Sequence, residues 1–244
     1  MAEATIPVVE IAPRAAVGPT RRRRVFALAV VLSVSVLHFI VSSSYYVFGG
    51  AAPPPAGEMI PYRLVGALVA ECTSLLLLWY VISERQNGWQ SIGWNPNWRD
   101  PLRGIVLVIV SLLATIPPAI VFQSVYRAFS GHYLAANDLR QLLGFGVSVF
   151  SIAFVVVNPF FEELIVRAYT MSEVMDLGGS RVLAVVISVA LQVSYHLYQG
   201  AARAIAVAAT FTVFSIYFAR TRRILPVVVA HFCIDAYALI RGVF

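Results

Sequence analysis

Seven long runs nearly free of charge divide the chain: Val25 to Gly57, Leu64 to Ile82, Gly104 to Tyr126, Gln141 to Phe161, Val182 to Ala202, Ala204 to Ala219 and Ile224 to Ile240. Glu71 and Asp235 are the two acidic interruptions. A helix of about 20 apolar residues crosses the hydrocarbon of a bilayer, so runs of this kind read as membrane helices. Composition agrees: 59% of the 244 residues are hydrophobic and 12% charged, with a mean hydropathy of +0.80, whereas a soluble domain is about 25% charged. A soluble single-core globule is excluded. The expected fold is all-α, a polytopic membrane helix bundle of about seven transmembrane helices over residues 25–244. Residues 1–24 are expected to form a disordered cytoplasmic tail.

The net charge of +6 does not point to nucleic acid, because the basic residues stand singly between apolar runs and form no binding face. They follow the positive-inside bias instead. With Arg21 to Arg24 placed in the cytoplasm, the inner segments hold twelve arginines and the outer ones five, which predicts the N-terminus inside and the C-terminus outside. Arg23-Arg24-Val25-Phe26 faintly resembles an export signal, but the apolar run behind it is far longer than a signal core, so an uncleaved anchor is expected. Cys72 and Cys233 both lie in apolar runs, which removes a disulfide framework and a thiolate zinc site. Trp89, Trp94 and Trp98, among Gly, Asn and Pro between Ser83 and Arg103, predict an interfacial segment in the headgroup layer. Pro117-Pro118 predicts a kink in the third span, and the sequence contains no internal repeat. The absence of lysine beside 18 arginines points to a GC-rich coding sequence and a bacterial cytoplasmic membrane.

An ionisable side chain inside a membrane helix is costly and marks a functional site by default. The sequence gathers such groups late: Glu162, Glu163 and Arg167 around the fourth span, Gln192 and His196 in the fifth, His231 and Asp235 in the seventh. Glu163 and Arg167 stand four apart on a helix, with Glu on the favoured N-terminal side, and are expected to form a structural ion pair. Glu162 points about 100° away and stands outside that pair. A buried carboxylate without a fixed counter-ion is suited to take up and release a proton. His38 and His132 are read as satisfied core residues and Glu71 as a structural hydrogen-bonding partner.

Depth decides whether these groups can meet. From Arg203 to Arg220 the sixth span covers about 26 Å at 1.5 Å per residue, close to one hydrocarbon thickness. On the same scale His196 lies about 10 Å below the outer end and His231 about 12 Å above the inner one. An antiparallel hairpin turning at Gly178-Gly179 brings Glu162 level with His196. Glu162, His196 and His231 are therefore expected at one depth, with the polar stretch from Arg167 to Arg181 projecting beyond the membrane.

From Asn158 to Ala236 the chain resembles the CPBP family, the CAAX prenyl proteases and bacteriocin-processing proteins also labelled abortive-infection proteins. The motifs are Glu-Glu-x-x-x-Arg at Glu162, Glu163 and Arg167, the His of Phe-x-x-x-His at His196, and His-x-x-x-Asn/Asp at His231 and Asp235. Gln192 departs from the family, which usually has Phe there. Residues 158–236 form the motif core, and Ser91-Ile92-Gly93-Trp94 resembles a further short segment of the family.

The resemblance implies an intramembrane endopeptidase cutting near the cytoplasmic side. Glu162 would activate a water that His196 positions, while His231 and Asp235 lie near the tetrahedral oxyanion. Asp235 could instead orient His231. Glu163 and Arg167 take structural roles. The cofactor stays open: Glu162, His196 and His231, with Asp235 as a fourth, are acceptable ligands for a divalent metal such as zinc, yet a metal-free glutamate mechanism uses the same groups, and the helical His-Glu-x-x-His signature is absent. The implied partners are membrane lipid and a protein or peptide substrate, lipidated or membrane-anchored, and no nucleic acid. A proton-coupled transporter and a catalytically inactive membrane scaffold of the same fold are the competing readings.

Overall fold

The structure is a computed structural model that describes residues 19–49, 61–134 and 148–243. Every element among them is helical. Helix α1 (Arg21–Ser35) starts at Thr20, whose hydroxyl accepts the Arg23 N–H at 3.4 Å, and meets α2 (Leu37–Phe48) at Val36 with a bend of 50°. Helix α3 (Pro61–Ser83) leads through a 3-10 turn (Gly88–Ile92) to α4 (Asp100–Ser130), which stays helical across Pro117-Pro118. Next come α5 (Val149–Glu162), a π-helical segment (Glu163–Tyr169) and α6 (Thr170–Asp176), joined end to end as one rod of 28 residues. Helix α7 (Arg181–Ser194), a 3-10 turn (Leu197–Gln199), α8 (Ala201–Thr221) and α9 (Leu225–Val243) complete the bundle.

Four helices are long and apolar enough to cross a bilayer, or five if the bent α1–α2 pair is one span, so the expected seven are not reached among the described residues. Two of the expected spans are shorter apolar helices, Arg181–Ser194 and Leu225–Ile240. The fifth expected span stops at Ser194 because the chain tightens into the 3-10 turn and then passes Gly200, whose φ of +89° no other residue type adopts without strain. Residues 1–18 of the expected tail lie outside the described residues, as do 50–57 of the first expected span and 141–147 of the fourth. Arg21 to Arg24, placed in the tail by sequence, form the first turn of α1.

The rod formed by α5, the π segment and α6 is the centre of the protein. Phe161, Ile165, Val166, Ala168, Tyr169 and Met171 are all buried, and the rod packs against α3, α7 and α9. In the π segment the Thr170 hydroxyl donates to the Ile165 carbonyl at 2.7 Å, five residues back. Such a widened turn is uncommon and tends to occur at functional sites. Here it keeps Glu162, Glu163 and Arg167 all inside the protein.

The segments assigned to the inner face meet at one end of the bundle. Glu173 is gripped by Arg24, at 3.0 and 3.1 Å, and by Arg85, while Asp176 pairs with Arg24 at 3.0 Å. Asp100 is buried between Arg223 and Arg103, each at 2.9 Å. The stretch expected to project from the membrane is therefore packed in protein at Ser172 and Glu173, because distant arginines neutralise it. In the tryptophan segment, most of which is exposed, half-buried Trp89 packs on Trp94 and Trp94 on Phe160, while Trp98, 80% exposed, is open to a headgroup layer. Gly93 makes this possible, since at its φ of +82° a Cβ would run into the Arg222 carbonyl oxygen. The hairpin turn falls at Gly178, with φ +96°, where the sequence placed it.

Candidate functional site

A cavity of about 280 Å³ opens among α2, α3, α5, α9 and the stretch that follows α7, and Glu162, His196, His231 and Asp235 all line it. Glu162 comes from the last turn of α5, where the π segment begins. His196 stands just past the end of α7, and its Nδ1 lies 2.8 Å from the Gln192 carbonyl oxygen. A carbonyl only accepts, so Nδ1 carries the proton and Nε2 is left with a free lone pair. Glu162 and His196 make no direct hydrogen bond; they share the cavity wall.

His231 sits on α9 among three carboxylates. Its Nδ1 meets Glu163 Oε1 at 2.6 Å, and its Nε2 faces Glu162 Oε2 at 3.8 Å and Asp235 Oδ2 at 3.5 Å. Glu163 pairs with Arg167 through its other oxygen, as the i, i+4 spacing predicts. It also holds His231, so its contact reaches beyond the structural pair to which sequence assigned it. The orientation of the His231 ring through Nδ1 falls to Glu163, not Asp235, and Asp235 accepts from Asn158 Nδ2 at 3.3 Å.

Gln192 ties the two halves of the site together. Its Oε1 accepts from Arg167 at 3.0 Å and its Nε2 donates to Glu162 Oε2. The departure from the family pattern thus gives Glu162 a partner that its helix position alone does not supply. The Arg167 guanidinium also lies 4.3 Å above the Phe211 ring, which packs edge-on against His231 at 5.2 Å. A cation over an aromatic face, desolvated as this one is, gains about 2 kcal/mol.

Sequence reasoning passed over Phe211, Asn158 and Tyr195. Phe211 is one aromatic residue in an apolar span, with nothing local to mark it. Asn158 and Tyr195 stood beside the motifs and carried the only available signal, a polar atom inside a charge-free run. Glu71, read as a structural hydrogen-bonding partner, instead lines the cavity with its Oε2 unpaired. His38 and His132, read as satisfied core residues, are instead exposed and lie away from the cavity, His38 against Phe39 and His132 beside the Ser130 carbonyl at 2.8 Å.

The donor set does not fit zinc. Among the described residues no three His, Cys, Asp or Glu side chains gather around one point as ligands. His196 commits Nδ1 to a backbone carbonyl, and His231 directs Nε2 between two carboxylates beyond ligand distance. The metal-dependent version, left open by the sequence, gains no support among the described residues.

Residues 144–237 match the family model of the Rce1-like type II CAAX prenyl endopeptidases. The match starts just before α5, ends within α9, takes in every motif residue and leaves α1 to α4 outside. No curated protein and no solved structure matches the chain.

Proposed function

From a chain whose residues 144–237 match the Rce1-like CAAX prenyl endopeptidase model, we propose an intramembrane endopeptidase that hydrolyses a peptide bond near the cytoplasmic side of the membrane. The observation that carries this is the convergence of Glu162, His196, His231 and Asp235 on one cavity inside a bundle of apolar helices. Residues 25–244 form the membrane-embedded protease domain, and residues 158–236 its motif core. The chain resides in the bacterial cytoplasmic membrane with its N-terminus in the cytoplasm. The end of the bundle where Arg24, Arg85, Glu173 and Asp176 meet then faces the cytoplasm.

Glu162 is the general base. It takes a proton from a water that the free Nε2 of His196 helps to position, and the water oxygen attacks the scissile carbonyl carbon. Gln192 fixes the Glu162 carboxylate, and through Arg167 and Glu163 the same network fixes His231. His231, held as the doubly protonated imidazolium by Glu163 at Nδ1 and by the Glu162 and Asp235 carboxylates facing Nε2, turns that second N–H toward the reacting centre, where it stabilises the tetrahedral oxyanion. The departing amine receives its proton from Glu162. The substrate is a protein or peptide carried to the cavity by the membrane, lipidated or membrane-anchored. Three carboxylates and buried ring nitrogens offer nothing to a nucleic acid.

Mass spectrometry of cleavage products from membranes holding wild type or Glu162→Gln protein tests the reading. The substitution should abolish cleavage and leave the protein folded in detergent, and comparable cleavage by Glu162→Gln would refute it. A proton-coupled transporter would show transport and no cleavage, and an inactive scaffold neither.

A further inference from the structure

We propose that Tyr195 is a further catalytic residue of this site, its phenol O–H donating a hydrogen bond to the oxyanion formed at the scissile carbonyl. The inference rests on the endopeptidase reading above. Tyr195 is the first residue beyond α7, at the point where the helix gives way to the 3-10 turn. That break places its side chain on the cavity wall with Glu162 and His196. An irregular segment at membrane depth is tolerated where it lines a cavity, as Tyr195, His196, Tyr198 and Gln199 do here.

The hydroxyl is a buried donor without a well-formed hydrogen bond in the resting site. Tyr195 is 7% exposed, and its oxygen has no hydrogen-bond partner among the described residues. The Glu162 carboxylate is close enough to interact with it, in a contact that falls short of a full hydrogen bond. Leaving a buried hydroxyl unpaired is unfavourable, so a partner arriving with the substrate recovers what the resting site forgoes. The ring is braced against His196 with centroids 4.7 Å apart, which holds the hydroxyl in place before substrate binds.

The site is short of donors where negative charge develops. His231 commits Nδ1 to Glu163 and has one nitrogen left, which Glu162 and Asp235 also face. Asp235 accepts from Asn158, and an ionised carboxylate has no hydrogen to give. Glu71 also lines the wall with an unpaired buried oxygen, and as a carboxylate it suits this task less than a neutral phenol. Tyr195 supplies the second donor. In the step itself, water loses a proton to Glu162 and bonds to the carbonyl carbon, and the carbonyl π pair moves onto oxygen. The Tyr195 O–H bonds to that oxygen without transferring its proton. On collapse the pair returns, the C–N bond breaks, and the amine takes the proton from Glu162.

Tyr195→Phe removes only the hydroxyl. With the full chain in liposomes and a peptide bearing a prenylated cysteine and three C-terminal residues as probe, kcat should fall about 10²- to 10³-fold, with KM changed less than about twofold. A phosphinate analogue of the same peptide, which mimics the tetrahedral centre, should lose affinity by a similar factor. Thermal stability should not fall, since the hydroxyl has no well-formed hydrogen bond in the resting protein. A Tyr195→Phe rate within about twofold of wild type, while Glu162→Gln is dead, would overturn the role of Tyr195 and leave the endopeptidase reading standing. Equal losses for phosphinate and uncleaved substrate would overturn it too, by assigning Tyr195 to binding alone. Cleavage by Glu162→Gln, or none by wild type, would overturn the reading and this inference together.

Discussion

Helix α4 and the rod of α5, the π segment and α6 are the two longest helical bodies among the described residues, at 31 and 28 residues, and they face different surroundings. The more apolar of the two is the one on the outside. Only 11% of the apolar stretch of α4 is buried inside the protein, against 56% for the rod. Ile105, Ile109, Leu112, Leu113 and Ile116 on α4 all point outward, while the rod buries Glu162, Glu163 and Arg167. In water this arrangement would be inside out. In lipid it is the favourable one, because hydrocarbon accepts apolar side chains as readily as a protein core does, and charged groups find partners only within the protein. In this chain the interior is therefore marked by polar atoms.

Three substitutions put that contrast to the test. Arg167→Ala should have the largest effect, leaving Glu163 buried without its counter-ion at a cost of about 3–5 kcal/mol. Thermal unfolding in detergent reads the loss. A stable but inactive Arg167→Ala would instead give Arg167 a direct part in the chemistry. Gln192→Leu should follow at about 1–3 kcal/mol, since it strips a hydrogen bond from both Arg167 and Glu162 at similar volume. Its cleavage rate should fall with its stability, and an unchanged rate would show that Glu162 does not need this tether. Ile109→Ala on α4 should be the smallest, within about 0.5 kcal/mol, because the side chain is 55% exposed and faces lipid. A loss in detergent approaching that of a core truncation would mean that α4 is covered by another surface.

The sequence by itself determined what depends on near neighbours. The apolar runs, the Glu163–Arg167 pair four residues apart and the hairpin turn at Gly178 follow from helical period, charge and backbone freedom, and each appears in the structure. The order of the motif residues was also legible, and a fixed rise per residue let their meeting in one cavity be expected. Tertiary structure alone decided the rest. Which face of each run meets protein could not be read, because lipid and protein interior are equally apolar and leave no alternation in the sequence. The link from Gln192 to Glu162 spans 30 residues, that from Glu163 to His231 spans 68, and that from Arg24 to Glu173 spans 149. Each depends on how helices rotate against one another. The break after Ser194, which cut short the fifth expected span and set His196 and Tyr195 on the cavity wall, is another such decision. A run of apolar residues favours a helix, and the cavity beside it settles where that helix can end.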